Sequence, residues 1–133
     1  MSDCLNIKKI QKLITIARRA AEKAYAPYSK FKVGSLVETD KGQFIGFNIE
    51  NASYGLTVCA ERTAIFNAII NGASEFKCLV VYNENKMPYP CGACLQVMSE
   101  FNRSGDMIVI IANKNKFEKY RLKDLFPHAF YIY

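Results

Sequence analysis

Three cysteines and a glutamate stand at spacings that suit metal chemistry. They occur as Cys59-Ala60-Glu61 and, further along, as Pro90-Cys91-Gly92-Ala93-Cys94. Cys91 and Cys94 are three apart, so at a helix start both thiols point to one side. The unpaired N–H groups and positive dipole end of such a start favour thiolate over thiol. Thiolate is the form that binds metal. A third cysteine at another helix start completes three corners of a tetrahedron. Three sulfurs suit Zn2+, and no fourth protein ligand is evident. An ion with three protein ligands and an open corner is of the catalytic kind, because water takes the open position and becomes acidic there. Glu61 is too close to Cys59 to be a comfortable ligand, yet close enough to face that water. A carboxylate there can take a proton and return it to a substrate, the general acid–base role. Metal plus positioned carboxylate predicts hydrolysis.

A structural zinc site is the competing reading of the same cysteines. It requires a fourth ligand from Cys4, Cys78 or His128. Cys4 lies close to the N-terminus and Cys78 opens an apolar run, so both are expected to be inert small residues. His128 is the only histidine. Its setting, Phe126-Pro127-His128-Ala129-Phe130, predicts packing within the tail.

The elements that must position these residues follow from periodicity. Ile7, Ile10, Leu13, Ile14, Ala17, Ala21 and Ala24 recur at helical spacing, which predicts a helix from about Asn6 to Ala26, ended by Pro27. Leu36 to Thr39 and Gln43 to Asn48 read as two strands joined at Asp40-Lys41-Gly42. Asn51 to Thr57 reads as a loop. Cys59 to about Asn71 reads as a largely buried helix closed by Asn71-Gly72. Cys78 to Tyr82 and Met107 to Ala112 are apolar runs expected as buried strands. Asn83 to Pro90 reads as a loop. Cys91 to Phe101 reads as a helix with Cys94, Val97, Met98 and Phe101 on one side, and Arg121 to Phe126 as a short helical stretch. Each cysteine segment therefore opens a helix. The order predicts a layered α/β domain with a mixed sheet, a hairpin at its start and right-handed crossovers later.

Composition narrows the function classes. The 133 residues are 50% hydrophobic, enough for one core, and no linker, repeat or low-complexity tract divides them. One domain over residues 1–133 is expected. No apolar stretch approaches the ~20 residues of a membrane span. The start, Met1 to Lys9, lacks the apolar centre of a signal peptide, which predicts a cytoplasmic location. Five cysteines, an odd number without an export signal, argue against a disulfide framework. The net charge of +6 comes from scattered residues, as on a solvated surface, and predicts neither a nucleic-acid nor a membrane partner.

The two cysteine segments together with Phe47-Asn48-Ile49-Glu50-Asn51-Ala52-Ser53-Tyr54 resemble the small, homotetrameric cytidine deaminases of pyrimidine salvage. The resemblance runs from about Ala24 to Phe130. It implies a three-layer α/β/α domain with a mixed sheet of about five strands. It also implies hydrolysis of the 4-amino group of cytidine and deoxycytidine, giving a uridine-type product and ammonia. Cys59, Cys91 and Cys94 would bind one zinc. Glu61 would shuttle protons from water to ring N3 and then to the leaving ammonia. Asn48 and Glu50 would hold the ribose hydroxyls, Glu50 accepting from the 3′-OH. Phe31 would pack against the base, and the backbone of Ala60 would help to read its edge. Tyr54 would reach a neighbouring subunit's site, and Phe130 would lid a neighbour's pocket.

Arg62 also matches the family. Three thiolates on Zn2+ leave a net negative charge, which a donor to sulfur would offset. One departure stands out: Leu95 follows Cys94 where the family usually has arginine. Leu95 lies four residues after Cys91, over roughly the same helix face, so Arg62 is expected to carry that task alone. Taken without the family, Asn48 and Glu50 read as polar strand-edge residues and Phe31 as core.

Three rival functions use the same residues. A deaminase of a related heterocycle, of the blasticidin-S type, shares the zinc apparatus, but Asn48-Ile49-Glu50 favours a nucleoside with a free ribose. A nucleic-acid-editing deaminase needs a basic groove with stacking aromatics, and no basic cluster flanks either motif. A non-catalytic zinc module would make Glu61 dispensable.

Overall fold

The computed structural model describes residues 6–132. Helix α1 spans Ile7–Glu22, capped by the side chain of Asn6, which accepts from Lys8 N and Lys9 N. Ile10, Leu13, Ala17 and Ala21 form its buried stripe. The helix ends at Glu22, short of the expected Ala26. The cause is a competing β-bridge: Tyr25 N donates to Asn48 O, and Glu50 N to Tyr25 O. The chain is thus already committed to extended pairing before Pro27.

Five strands make one sheet: β1 (Val33–Thr39), β2 (Gly42–Phe47), β3 (Phe76–Asn83), β4 (Ile108–Ala112) and β5 (Phe117–Arg121). Their order is β2-β1-β3-β4-β5. β1 lies antiparallel to β2 and β3, β3 parallel to β4, and β4 antiparallel to β5. The β1–β2 hairpin turns at Asp40-Lys41 into Gly42, whose φ of 111° lies in the region that favours glycine. The parallel pair is joined through helix α3 (Gly92–Phe101), as parallel strands require a crossover.

Alternation along the strands divides the core between the two faces. Leu36, Val80, Tyr82 and Ile110 face α1. Val37, Leu79, Val81, Val109 and Ile111 face α2 (Ala60–Ile70), α3 and the one-turn α4 (Leu122–Leu125). The result is the expected α/β/α layering with a mixed sheet. No helix among the described residues is long and apolar enough to cross a membrane.

Some expectations need correction. Strand β5 was not anticipated, because Phe-Glu-Lys-Tyr-Arg lacks the apolar run of a central strand; it is a half-exposed edge. Helix α4 is shorter than 121–126. Residues 51–57 contain a 3-10 turn, Tyr54–Leu56. In α3 the buried side is Cys94, Leu95, Met98 and Ser99, whereas Val97 is half-buried and Phe101 exposed. His128 is exposed rather than packed.

Candidate functional site

The register pairs Val33 with Asn83 and Gly34 with Phe47, so the start of β1 and the ends of β2 and β3 share one edge of the sheet. Two helices begin near that edge. Cys59 is the N-cap of α2 and Cys91 the N-cap of α3, and neither uses its thiol to cap. Thr63 pins the start of α2 to the sheet by donating from Oγ1 to Phe47 O. Gly46 permits this approach, since a Cβ there would fall within 3.0 Å of Ala64 N, Thr63 Oγ1 and Ala60 O.

The helix starts bring the sulfurs of Cys59, Cys91 and Cys94 to within 4.8 Å of one another. Cys91 Sγ and Cys94 Sγ are 3.6 Å apart, and all three thiols are free of disulfides. A tetrahedral zinc with Zn–S of about 2.3 Å places its sulfurs roughly 3.8 Å apart, so the donor set fits zinc. Among the described residues no fourth His, Cys, Asp or Glu joins the group. Cys78 is buried on the opposite, α1 face of the sheet. Cys4 lies outside the described residues.

Arg62 Nη2 donates to Cys59 Sγ at 3.4 Å. The Cys59 thiol is held down at about 5 by its hydrogen bond with Cys94 and by the Arg62 guanidinium, against the penalty of burial. The hydrogen bond to Cys59 and burial push the Cys94 thiol up. Leu95 is packed in the core at 9% exposure, so its face is not the one expected beside the sulfurs.

Glu61 is 4% exposed in the first turn of α2. Burial pushes its carboxyl up to about 7, with the Cys59 charge adding to the rise. A carboxyl in that range can both accept and give protons near neutral pH.

A cavity of about 180 Å3 opens over Cys59 and Cys91. Phe31, Asn48, Cys59, Ala60, Glu61 and Cys91, all among the expected site residues, line it. Val33, Thr57, Pro88 and Tyr89 also line it and were not foreseen. The one available signal was the Pro88-Tyr89-Pro90 run directly before the second cysteine pair. A larger cleft of about 420 Å3 lies beside α1 between Arg18, Lys32 and Glu84 and contains none of the sulfurs. Size there does not mark the chemistry.

Three residues expected to bind substrate stand outside the cavity wall. Glu50 is engaged by the loop that carries Phe31: its Oε1 accepts from Tyr28 N and Ser29 N at 3.0 and 3.1 Å, and its Oε2 from Ser29 Oγ. Tyr54 is 74% exposed and meets Tyr28 edge-on at 6.2 Å. Phe130 is 70% exposed, with its backbone held by both side-chain groups of Gln96.

The cytidine and deoxycytidylate deaminase zinc-binding region matches residues 7–111. The chain is 44% identical to the cytidine deaminase of Sporosarcina psychrophila over 124 residues, 91% of this chain and 90% of that protein. It is 43% identical to the cytidine deaminase of Halalkalibacterium halodurans over 122 residues, 90% and 92% of the two chains. The crystal structure of cytidine deaminase from Burkholderia pseudomallei superposes with a TM-score of 0.85 at 46% identity, covering 90% of this chain and 98% of that one. That of Mycobacterium tuberculosis gives 0.80 at 34% identity, covering 92% and 98%. The chain thus belongs to the cytidine and deoxycytidylate deaminase zinc-binding family.

Proposed function

We propose that this chain is a zinc-dependent cytidine deaminase that hydrolyses cytidine and deoxycytidine to uridine and deoxyuridine plus ammonia. One observation carries the reading: three sulfurs converge to within 4.8 Å of one another, and two of their residues, Cys59 and Cys91, line the same cavity as the buried Glu61.

Cys59, Cys91 and Cys94 would hold the zinc. When bound, zinc lowers the pKa of a water at its open position. Glu61 takes a proton from a water whose oxygen adds to C4, and hands that proton to ring N3. It then carries the proton of the new C4 hydroxyl to the amine as the C4–N bond breaks, leaving the C4=O of uridine and free ammonia. Phe31 packs against the base, Ala60 reads the base edge through its backbone, and Asn48 and Glu50 hold the ribose. Arg62 donates to a ligand sulfur and offsets its charge. Residues 1–133 act as one catalytic domain. Tyr54 and Phe130, exposed and outside the cavity wall, are assigned to the sites of neighbouring subunits in a homotetramer. The enzyme's place is cytoplasmic pyrimidine salvage.

The test uses one preparation. The purified protein is expected to contain about one zinc per chain and to turn over cytidine and deoxycytidine in an ultraviolet assay. Glu61→Gln should keep the metal and lose activity by about 10²–10⁴-fold, the usual contribution of an acid–base group. A Glu61→Gln enzyme as active as the parent, or a parent without zinc, defeats the reading.

A further inference from the structure

The loop from Tyr28 to Phe31 is tied to Glu50 by more bonds than packing alone needs. Ser29 sits at the centre of that tie. Its hydroxyl donates to Glu50 Oε2 and accepts from Phe31 N at 2.9 Å. Phe31 N–H, Ser29 O–H and Glu50 carboxylate therefore form one continuous chain. The other side of the same residue is held as well: Asn48 Nδ2 donates to Phe31 O at 2.8 Å, while Asn48 Oδ1 accepts from Val33 N at 2.9 Å. Phe31 is thus gripped at both its N–H and its C=O by side chains that reach Asn48 and Glu50.

The backbone is bent to allow this. Lys30, between Ser29 and Phe31, has φ of 60°, a left-handed conformation uncommon for a residue with a side chain. Such a residue costs free energy and persists where surrounding bonds over-determine it. Lys30 N closes the turn on Ala26 O at 3.0 Å.

We propose that Ser29 is a positioning residue that orients the Glu50 carboxylate toward the ribose. The inference rests on the cytidine deaminase reading given above. An ionised carboxylate has about four lone-pair directions. Tyr28 N and Ser29 N occupy those of Oε1, and the Ser29 hydroxyl takes one on Oε2. One direction on Oε2 is left for an incoming hydroxyl. Three donors also keep Glu50 ionised, the Ser29 hydroxyl first among them, so that it can only accept. Ser29 thereby fixes both the direction and the polarity of the remaining bond. A substrate hydroxyl that donates along it is gripped, and a substrate lacking that hydroxyl leaves a charged acceptor unsatisfied.

The experiment compares the parent, Ser29→Ala and Ser29→Thr. Cytidine turnover by the parent is measured first; its absence overturns the function reading and this proposal with it. Inhibition constants of uridine and 3′-deoxyuridine are then measured against cytidine. Ser29→Ala should weaken uridine by about tenfold, the scale of a hydrogen bond to a charged group. It should leave 3′-deoxyuridine within about twofold and kcat nearly unchanged. Ser29→Thr keeps the hydroxyl and should restore the preference for uridine. Ser29 is exposed, so the alanine variant is expected to melt with the parent. Equal weakening of both inhibitors, or no weakening of uridine, overturns the assignment of Ser29 while leaving the deaminase reading standing.

Discussion

Arg62 Nη2 lies 3.4 Å from Cys59 Sγ, and Arg62 Nε is buried with no hydrogen-bond partner among the described residues. A guanidinium is seldom held this way for stability alone, because a buried unpaired donor costs free energy. Its return is electrostatic, a cation beside sulfurs that together carry more charge than one zinc neutralises. Leu95 is in the core and offers no second cation. Arg62→Gln should therefore weaken zinc binding by about 10–100-fold, the usual effect of losing a partner behind a metal ligand. Chelator competition followed by metal analysis measures it. Retention equal to the parent would show that the sulfurs do not need the guanidinium.

Gly46 governs how closely α2 can lie against β2. Any side chain at this position meets the backbone of Ala60 and Ala64. Gly46→Ala should cost about 1–3 kcal/mol by overpacking. The strain falls on the first turn of α2, where Cys59 and Glu61 sit. A lower urea midpoint and faster zinc release in the same variant are expected. An unchanged midpoint would mean that the helix shifts freely and that its position is set elsewhere.

Much of the site was legible because its residues are close in sequence. Cys59 and Glu61, or Cys91 and Cys94, fall within one helical turn, and local spacing decides where their side chains point. Asn48 and Phe31 were legible only through resemblance; the cavity that joins them forms when β1 and β2 pair. Ser29 and Tyr89 carried no signal of comparable strength, since their meaning lies in bonds to Glu50 and Glu118 across the fold. The sheet followed the same rule. Its central strands announced themselves as apolar runs. Edge strand β5, half-exposed with Glu118 and Lys119 in its middle, did not. The end of α1 was misplaced because a tertiary β-bridge at Tyr25, rather than the proline, stops it.

Tyr89 lines the cavity while its hydroxyl donates to Glu118 Oε1 at 2.8 Å. Glu118 also accepts from Tyr120 at 2.7 Å, so the ring is anchored to β5. Tyr89→Phe keeps the ring and removes the anchor. Its KM for cytidine should rise by up to about fivefold, the worth of one ordinary hydrogen bond, with kcat near the parent value. Glu118→Gln should behave alike, because it weakens the same bond from the other side. Steady-state kinetics on both variants decide it. A fall in kcat at constant KM would place Tyr89 in the chemical step instead.

Asp40 supplies the clearest dependence of stability on acid. It sits in the β1–β2 turn and clasps the segment leading into β3: Oδ1 accepts from Ser74 N and Glu75 N, both at 3.0 Å, and Oδ2 from Ser74 Oγ at 3.1 Å. Those bonds, the Glu75 and Ser74 amides first, hold its carboxyl down at about 2, against an ordinary value of 3.8. The sign follows from linkage. The unfolded chain binds the proton first as pH falls, so the stabilisation is complete above 3.8 and disappears as pH drops through about 2. Asp40→Asn removes this proton uptake. The variant should unfold at lower denaturant than the parent near neutral pH, and the gap between them should close across that acidic window. Comparing the two proteins at each pH cancels the loss of zinc, which both suffer in acid. A gap that stays constant from neutral pH down to about 2 would mean that the carboxylate's charge contributes nothing to the clasp.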